Sequence, residues 1–227
     1  GGADYYGIGN DMLSRHGEIV FEQDGTIAVT AKSHAGVCIG SGLGGSIKFN
    51  RGRYVLKALG SMSVCIGNFK GEADVDFIGC DIDAEASAAH SVVIGSQTGR
   101  ACVSIMYSSI KCRAGGIMAA AFGTVTGTGA VIRAESVSLD IDIGAESGTA
   151  FGALDSDSDI QILRSSVKIS GEGAGVVVFG GLSGETKLTL TDIDFKADIS
   201  TQKDRCTLAD EDNIRVSGGR YRVTING

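Results

Sequence analysis

The chain has no proline and no tryptophan, and aromatic residues make up only 6% of its 227 positions. No apolar run reaches the roughly 18 residues that a membrane-spanning helix needs, so we expect no membrane insertion. Acidic residues outnumber basic ones, and the net charge of −7 argues against nucleic acid, whose phosphates favour basic patches. Because 43% of the residues are hydrophobic, the composition predicts a folded chain with a substantial core.

The six cysteines lack the C-x-x-C spacing that is typical of zinc sites; they are Cys38, Cys65, Cys80, Cys102, Cys112 and Cys206. Buried free thiols and disulfides both fit this pattern, and we favour free thiols. Cys38 and Cys65 would lie within disulfide range if they occupied equivalent positions of adjacent sheet strands. Stacked side chains need no covalent bond there, so free thiols remain the favoured interpretation.

Glycine is abundant, at 35 residues, and Gly40, Gly42 and Gly45 show G-x-G-x-x-G spacing within "CIGSGLGGSIKF". A dinucleotide site needs a helix after these glycines, because the helix N-terminus holds the pyrophosphate. The following "SIKF" instead has the alternation of a strand. We therefore expect a structural role for the glycines.

That role is indicated by a repeat. The sequence reads VCIG at 37–40 and 64–67, VVIG at 92–95, AAFG at 120–123, TAFG at 149–152 and VVFG at 177–180, after a looser YGIG at 6–9. The final glycines are 27 to 29 residues apart, and a second glycine follows four residues later in five of six copies. Fixed glycines in a loop indicate positive φ or close approach of two chain segments. The predicted turn glycines are Gly40, Gly44, Gly67, Gly71, Gly95, Gly99, Gly123, Gly127, Gly152, Gly180 and Gly184.

Two runs of period-two alternation follow each loop, which is typical of half-buried strands. In the copy that begins at Gly123, one alignment shift places Ala130 and Ile132 inward and Arg133 outward. The same shift aligns Val137 and Leu139 with the inward residues of the third strand in the other copies. Each copy thus contains three short strands and three turns.

Three strands in about 28 residues predict one coil of a parallel β-helix, which can bury its apolar face only by stacking on its neighbours. We predict an all-β, right-handed parallel β-helix of about seven coils, the usual hand of parallel crossovers. Residues 1–227 would form a single domain, with repeats over about 3–200 and an irregular last coil or cap over 201–227. "NIRV" and "YRVTIN" are the strand-like segments of that last part.

The segments "HAGVCIGSGLGGSIKFNRGRYVLKAL" and "GAGVVVFGGLSGETKLTLTDIDFKAD" resemble the glycine-rich β-helix repeats of bacterial secreted and cell-surface proteins. The resemblance covers roughly residues 3–200. It implies an extracellular or cell-surface location, and some proteins with such repeats carry them as carbohydrate-binding domains. The partner that it implies is a polysaccharide or a cell-surface glycan.

Aligned third strands place charged residues in outward columns that include Asp83, Glu85, Lys111, Arg113 and Asp140. In our alignment Lys111 is followed by Ser138, and Arg113 by Asp140. Partly alternating signs favour a solvated ladder of ion pairs, each contributing little at a surface. A carbohydrate-binding face is the alternative, although sugars are commonly held by aromatic rings and only Tyr107 and Phe69 are expected to be exposed.

"LDSDSDIQ" places Asp155, Asp157 and Asp159 at alternate positions. Alternating oxygens would suit a hard cation such as calcium, but neither the EF-hand nor the nonapeptide calcium repeat is present. A solvated loop is the favoured interpretation, so we expect no cofactor, with calcium as the one alternative.

Catalysis is a third possibility, because Asp74, Asp76, Asp81 and Asp83 supply four acids in one coil. Paired carboxylates would suit a polysaccharide hydrolase, and Lys111 or Arg113 beside them would suit a lyase. We favour a non-catalytic module that binds polysaccharide, then a structural adhesin or stalk, and finally such an enzyme.

Overall fold

Short alternating segments separated by glycine-containing turns stack into a parallel β-helix of about seven coils with a period of about 28 residues, as predicted. The computed structural model of the chain describes residues 4–201 and 213–226. Within this part of the chain no helix is long and apolar enough to cross a membrane.

Twenty-one strands lie within the described residues. Coil 1 contains β1 (Asp4–Gly9), β2 (Gly17–Glu22) and β3 (Thr26–Lys32); coil 2 contains β4 (Ala35–Ser41), β5 (Gly45–Asn50) and β6 (Arg53–Leu59); coil 3 contains β7 (Met62–Asn68), β8 (Ala73–Ile78) and β9 (Asp81–Ser87). Coil 4 contains β10 (His90–Ser96), β11 (Arg100–Met106) and the first half of β12 (Ser109–Thr124). Coil 5 contains the second half of β12, then β13 (Gly129–Glu135) and the first half of β14 (Ser138–Ala153). Coil 6 contains the second half of β14, then β15 (Ser158–Leu163) and β16 (Ser166–Gly173); coil 7 contains β17 (Gly175–Phe179), β18 (Thr186–Thr191) and β19 (Asp194–Thr201); a partial coil 8 contains β20 (Ile214–Ser217) and β21 (Arg220–Asn226).

Equivalent strands of successive coils pair in parallel and form three faces. The first face holds the strands that carry the repeated tetrapeptide, from β1 to β17. The second face is the eight-stranded sheet from β2 to β20. The third face runs from β3 to β21, and it is continuous with the first face because β12 and β14 pass around the corner between them. The last coil is therefore more regular than predicted, since β20 and β21 extend the second and third faces.

The first glycine of each repeat lies in one column, as predicted. Gly40, Gly67, Gly95, Gly123 and Gly152 are register partners in successive coils, and Gly180 lies beside Gly152. At Gly67 φ is 131°, and an added Cβ would lie 1.8 Å from the Gly95 carbonyl oxygen. Both positive φ and close approach therefore require glycine there.

The second glycines have two different reasons. Gly44 and Gly184 have positive φ, at 116° and 89°. Gly71, Gly99 and Gly127 do not, but an added Cβ on each would lie between 1.8 and 2.1 Å from a carbonyl oxygen of the preceding coil. In those three copies, stacking of one loop directly on another excludes a side chain.

The core runs along the axis between the three faces. Phe21, Phe49 and Phe77 stack in coils 1 to 3, with ring centroids 4.9 Å apart. A second column, Phe122, Phe151 and Phe179, stacks in coils 5 to 7 at 5.3 and 5.6 Å. Equivalent inward positions thus bury equivalent side chains, as a stacked-repeat fold requires.

The corner between the second and third faces explains one error of the sequence alignment. Ala130 and Ile132 are buried and Arg133 points outward, as predicted. Val137, however, is the second corner residue after Ser136, whose φ is 55°. The inward strand residues that align with Ile110 and Cys112 are therefore Leu139 and Ile141, rather than Val137 and Leu139.

A second apolar cluster lies outside the first face, where the loops fold over its outward side chains. Val37, Val64 and Val92 are fully buried there, together with Phe69 at 5% exposure. The prediction that Phe69 is exposed is therefore wrong, because its loop packs against the sheet. Tyr107, at a corner, is 66% exposed, as predicted.

Candidate functional site

The predicted charged residues lie on the third face: Asp83 and Glu85 on β9, Lys111 and Arg113 on β12, and Asp140 on β14. Arg113 Nη2 lies 2.7 Å from Asp83 Oδ1, and Arg113 Nε lies 3.8 Å from Glu85 Oε2. The structure therefore brings all five onto one face and pairs several of them with each other.

The columns differ from the predicted ones at Asp140. It is the register partner of Lys111, and Asp142 is the partner of Arg113. The cause is the corner at Val137, which shifts the strand by two residues relative to the alignment. The corrected column reads Asp83, Lys111, Asp140, Lys168, and its charges alternate strictly.

Further ion pairs complete this ladder. Lys57 Nζ lies 3.3 Å from Glu85 Oε2, and Lys168 Nζ lies 3.5 Å from Asp140 Oδ1. A shallow cleft of about 290 Å³ lies between the side chains, bordered by Arg53, Asp81, Asp83, Ser109, Lys111, Ser138 and Asp140. Most charges on this face are thus compensated by a neighbour in the next coil, which favours the ladder over a binding face.

A longer depression, which we call the axial groove, lies where the loops meet the start of the second-face strands. It consists of two cavities of about 380 and 570 Å³ that meet at β11, which contributes Cys102 to one and Arg100 to the other. Its central column runs from Ser46 in coil 2 through Asp74, Cys102, Val131, Asp159 and Lys187 towards Asn213 in coil 8. Six strand spacings give the groove a length of about 29 Å.

The charges in the axial groove are less compensated than those of the third face. Arg15, Arg100 and Lys187 line it, and none of them forms an ion pair within the described residues. Five acids line it as well: Glu72, Asp74, Asp157, Asp159 and Glu185. Of these only Asp159 is in an ion pair, with Arg133 at 2.7 Å. The groove therefore presents free donors and acceptors along its length.

Two further groups show how the edge of the groove is built. Burial raises the pKa of the Cys102 thiol, whose Sγ lies 3.5 Å from Glu72 Oε1, so this thiol stays protonated. Burial, and after it the negative charge of Asp74, raises the pKa of Asp76. Asp74 and Asp76 both point outward from β8, one beside the other.

Repeat alignment could have identified these residues, but their concave setting could not be inferred. Glu72, Arg100, Asp157 and Glu185 occupy the equivalent position just before the second strand in four coils, so they form a column that can be predicted from sequence. The groove exists because the loops protrude beside that column, and loop conformation has no signal in the alternation of apolar residues.

The three predicted metal-binding aspartates are not brought together as ligands. Asp159 is bound to Arg133, Asp157 Oδ1 accepts a hydrogen bond from the Glu185 backbone amide, and Asp155 is exposed. Over residues 4–201 and 213–226, no cluster of three His, Cys, Asp or Glu side chains could hold a metal ion. The segment is a loop followed by an edge of the groove.

The four acids of coil 3 are divided between two faces. Asp74 and Asp76 lie on β8 of the second face, whereas Asp81 and Asp83 lie on β9 of the third. Lys111 and Arg113 accompany only the second pair. The expected gathering of acids and bases on one face is therefore wrong, because a corner lies between the two pairs.

Five cysteines are free thiols: Cys38, Cys65, Cys80, Cys102 and Cys112. Cys206 lies outside the described residues. Burial raises the pKa of both Cys65 and Cys112, which are core residues of coils 3 and 4. Protonated, enclosed thiols of this kind are packing residues rather than nucleophiles.

No family model, no curated protein and no solved structure matches the chain. The functional proposal therefore depends on the residues described above.

Proposed function

We propose that this chain is a non-catalytic, extracellular or cell-surface module that binds polysaccharide along the axial groove. The observation that carries the proposal is the row of uncompensated polar side chains in a concave strip about 29 Å long. Partly enclosed sites with convergent polar groups are the usual setting for ligand recognition.

The groove also indicates how such a ligand would be held. No aromatic residue lines either of its two cavities, so the hydrogen bonds of sugar hydroxyls would carry recognition. Carboxylates such as Asp74 and Glu185 accept hydrogen bonds, and Arg100 and Lys187 donate them. Because five acids face three bases, a neutral polysaccharide suits the groove better than a polyuronate.

The test is retention of the protein on insoluble polysaccharides, followed by affinity measurements with a soluble fragment of the polymer that retains it. We expect cellulose, xylan or a similar neutral polymer to bind and polygalacturonate not to bind. Arg100→Ala/Lys187→Ala should weaken binding about tenfold or more, since hydrogen bonds to charged groups contribute roughly 1.5–3 kcal/mol.

Lys111→Ala/Arg113→Ala on the third face is the matched control, because it removes the same charge. That variant should keep the parent's affinity and lose less than about 1 kcal/mol of stability per residue. Loss of binding in the control alone would assign the ligand to the third face. Retention of full affinity by both variants would exclude both surfaces.

A structural stalk is the second candidate, and the ion-pair ladder of the third face supports it. Arg113 bridges Asp83 and Glu85, and the aromatic columns tie successive coils together in the core. A folded chain that binds none of the polysaccharides would favour this function. Release of reducing ends or unsaturated uronates would instead indicate an enzyme.

A further inference from the structure

The strands of coil 8 form an open end of the solenoid. Within residues 4–201 and 213–226, β20 pairs only with β18 and β21 only with β19. Their side chains Val216, Tyr221, Val223 and Ile225 are between 41% and 51% exposed. In coil 7 the residues of the same inward columns, such as Phe195 and Ile199, are at most 3% exposed. A further strand on each face would bury these side chains.

Coil 1 forms the opposite open end. In the same described residues, β2 pairs only with β5, and β3 only with β6. Ile19, Phe21, Ile27 and Val29 pack against the core but are only partly buried. Open strand edges of this kind are sites for pairing with another chain.

The two ends match column by column. Following the strand pairing through the molecule places Ile27 in the column of Tyr221 and Val29 in that of Val223. On the second face, Phe21 shares its column with Val216. Coil 1 of another copy could therefore continue both faces without a change of register.

The two ends also carry opposite charge. Residues 213–226 contain Arg215, Arg220 and Arg222 and no acid, whereas β2 and the turn after it contain Glu18, Glu22 and Asp24. Arg215 and Arg222 form no ion pair within the described residues. In register, Arg215 would lie beside Val20, between Glu18 and Glu22.

We propose that copies of this chain associate head to tail, with coil 8 of one copy on coil 1 of the next. Parallel pairing would join β20 to β2 and β21 to β3, so that the apolar columns and the second and third faces continue from copy to copy. Because the contact joins two different surfaces, it does not close on itself, and it generates rows of copies rather than a symmetric dimer. This proposal does not depend on the proposed ligand.

The test is the mass of the full chain over a range of concentrations, measured by sedimentation and light scattering. The parent should grow in mass with concentration. Arg215→Glu/Arg222→Glu should need at least about ten times more protein to associate, because like charges then face each other across the contact. Glu18→Arg/Glu22→Arg should behave in the same way.

Mixing the two variants should restore association at the parent's concentrations, since each then meets a complementary end. Lys70→Glu/Lys196→Glu is the control, because it makes the same change of charge away from the contact; it should associate like the parent. Circular dichroism confirms that each variant is folded. A parent that stays monomeric throughout would overturn the proposal, and so would a mixture that fails to associate.

Discussion

Individual glycines in this solenoid are required by the coil above or below them. An added Cβ at Gly99 would lie 2.1 Å from the Gly71 carbonyl oxygen, although φ at Gly99 is not positive. The strain of a side chain there comes from the neighbouring coil, and alanine has no conformation that avoids it.

Gly99→Ala should therefore destabilise the protein by about 1–3 kcal/mol, the usual cost of forcing extra atoms into a packed site. Gly144→Ala is the control, because nothing lies within 4 Å of its added Cβ and its φ is not positive. That variant should be neutral or slightly stabilising. Thermal unfolding of both variants decides the matter, and equal melting temperatures would contradict this explanation of the loop glycines.

At the scale of elements, the loops over the first face act as an outer layer. Phe69, Gln97, Val125 and Leu154 follow equivalent strand residues in four successive coils. Three of them belong to the outer apolar cluster. Gln97 is 2% exposed, and neither its side-chain nitrogen nor its oxygen has a hydrogen-bond partner.

Gln97→Met should stabilise the protein by about 1–3 kcal/mol, because it removes an unsatisfied buried amide while keeping the shape of the side chain. Chemical denaturation measures the change. Thr98→Val, one residue further and exposed, is the control and should have little effect. A Gln97→Met protein less stable than the parent would mean that the amide has a partner in solution, such as a buried water.

Sequence predicted the elements well where the repeat is regular, and failed where a corner resembles a strand. The glycine column was predictable because six copies share one spacing and one conformation. Asp140 was placed in the wrong column because Val137 is apolar and buried, as a strand residue would be, although it lies in the corner. The axial groove was missed because it depends on how far the loops protrude, and the alternation of strand residues is independent of that.

For the molecule as a whole, each coil contacts only its neighbours, so stability should vary along the axis. Coils 2 to 7 have a coil on both sides, and nearly all their inward side chains are buried. Coils 1 and 8 have one neighbour among the described coils and partly exposed inward side chains. The ends therefore have the fewest buried contacts opposing local opening.

Hydrogen exchange measured by mass spectrometry on a dilute sample should be slowest for peptides from coils 3 to 6 and fastest for coils 1 and 8. Coils 2 and 7 should be intermediate, because their outer neighbour is the coil that opens first. Equal protection from end to end would mean that the solenoid opens only as a single unit. At high concentration, head-to-tail contact would slow exchange in β2, β3, β20 and β21 and leave the central coils unchanged, since only those four strands would gain a partner.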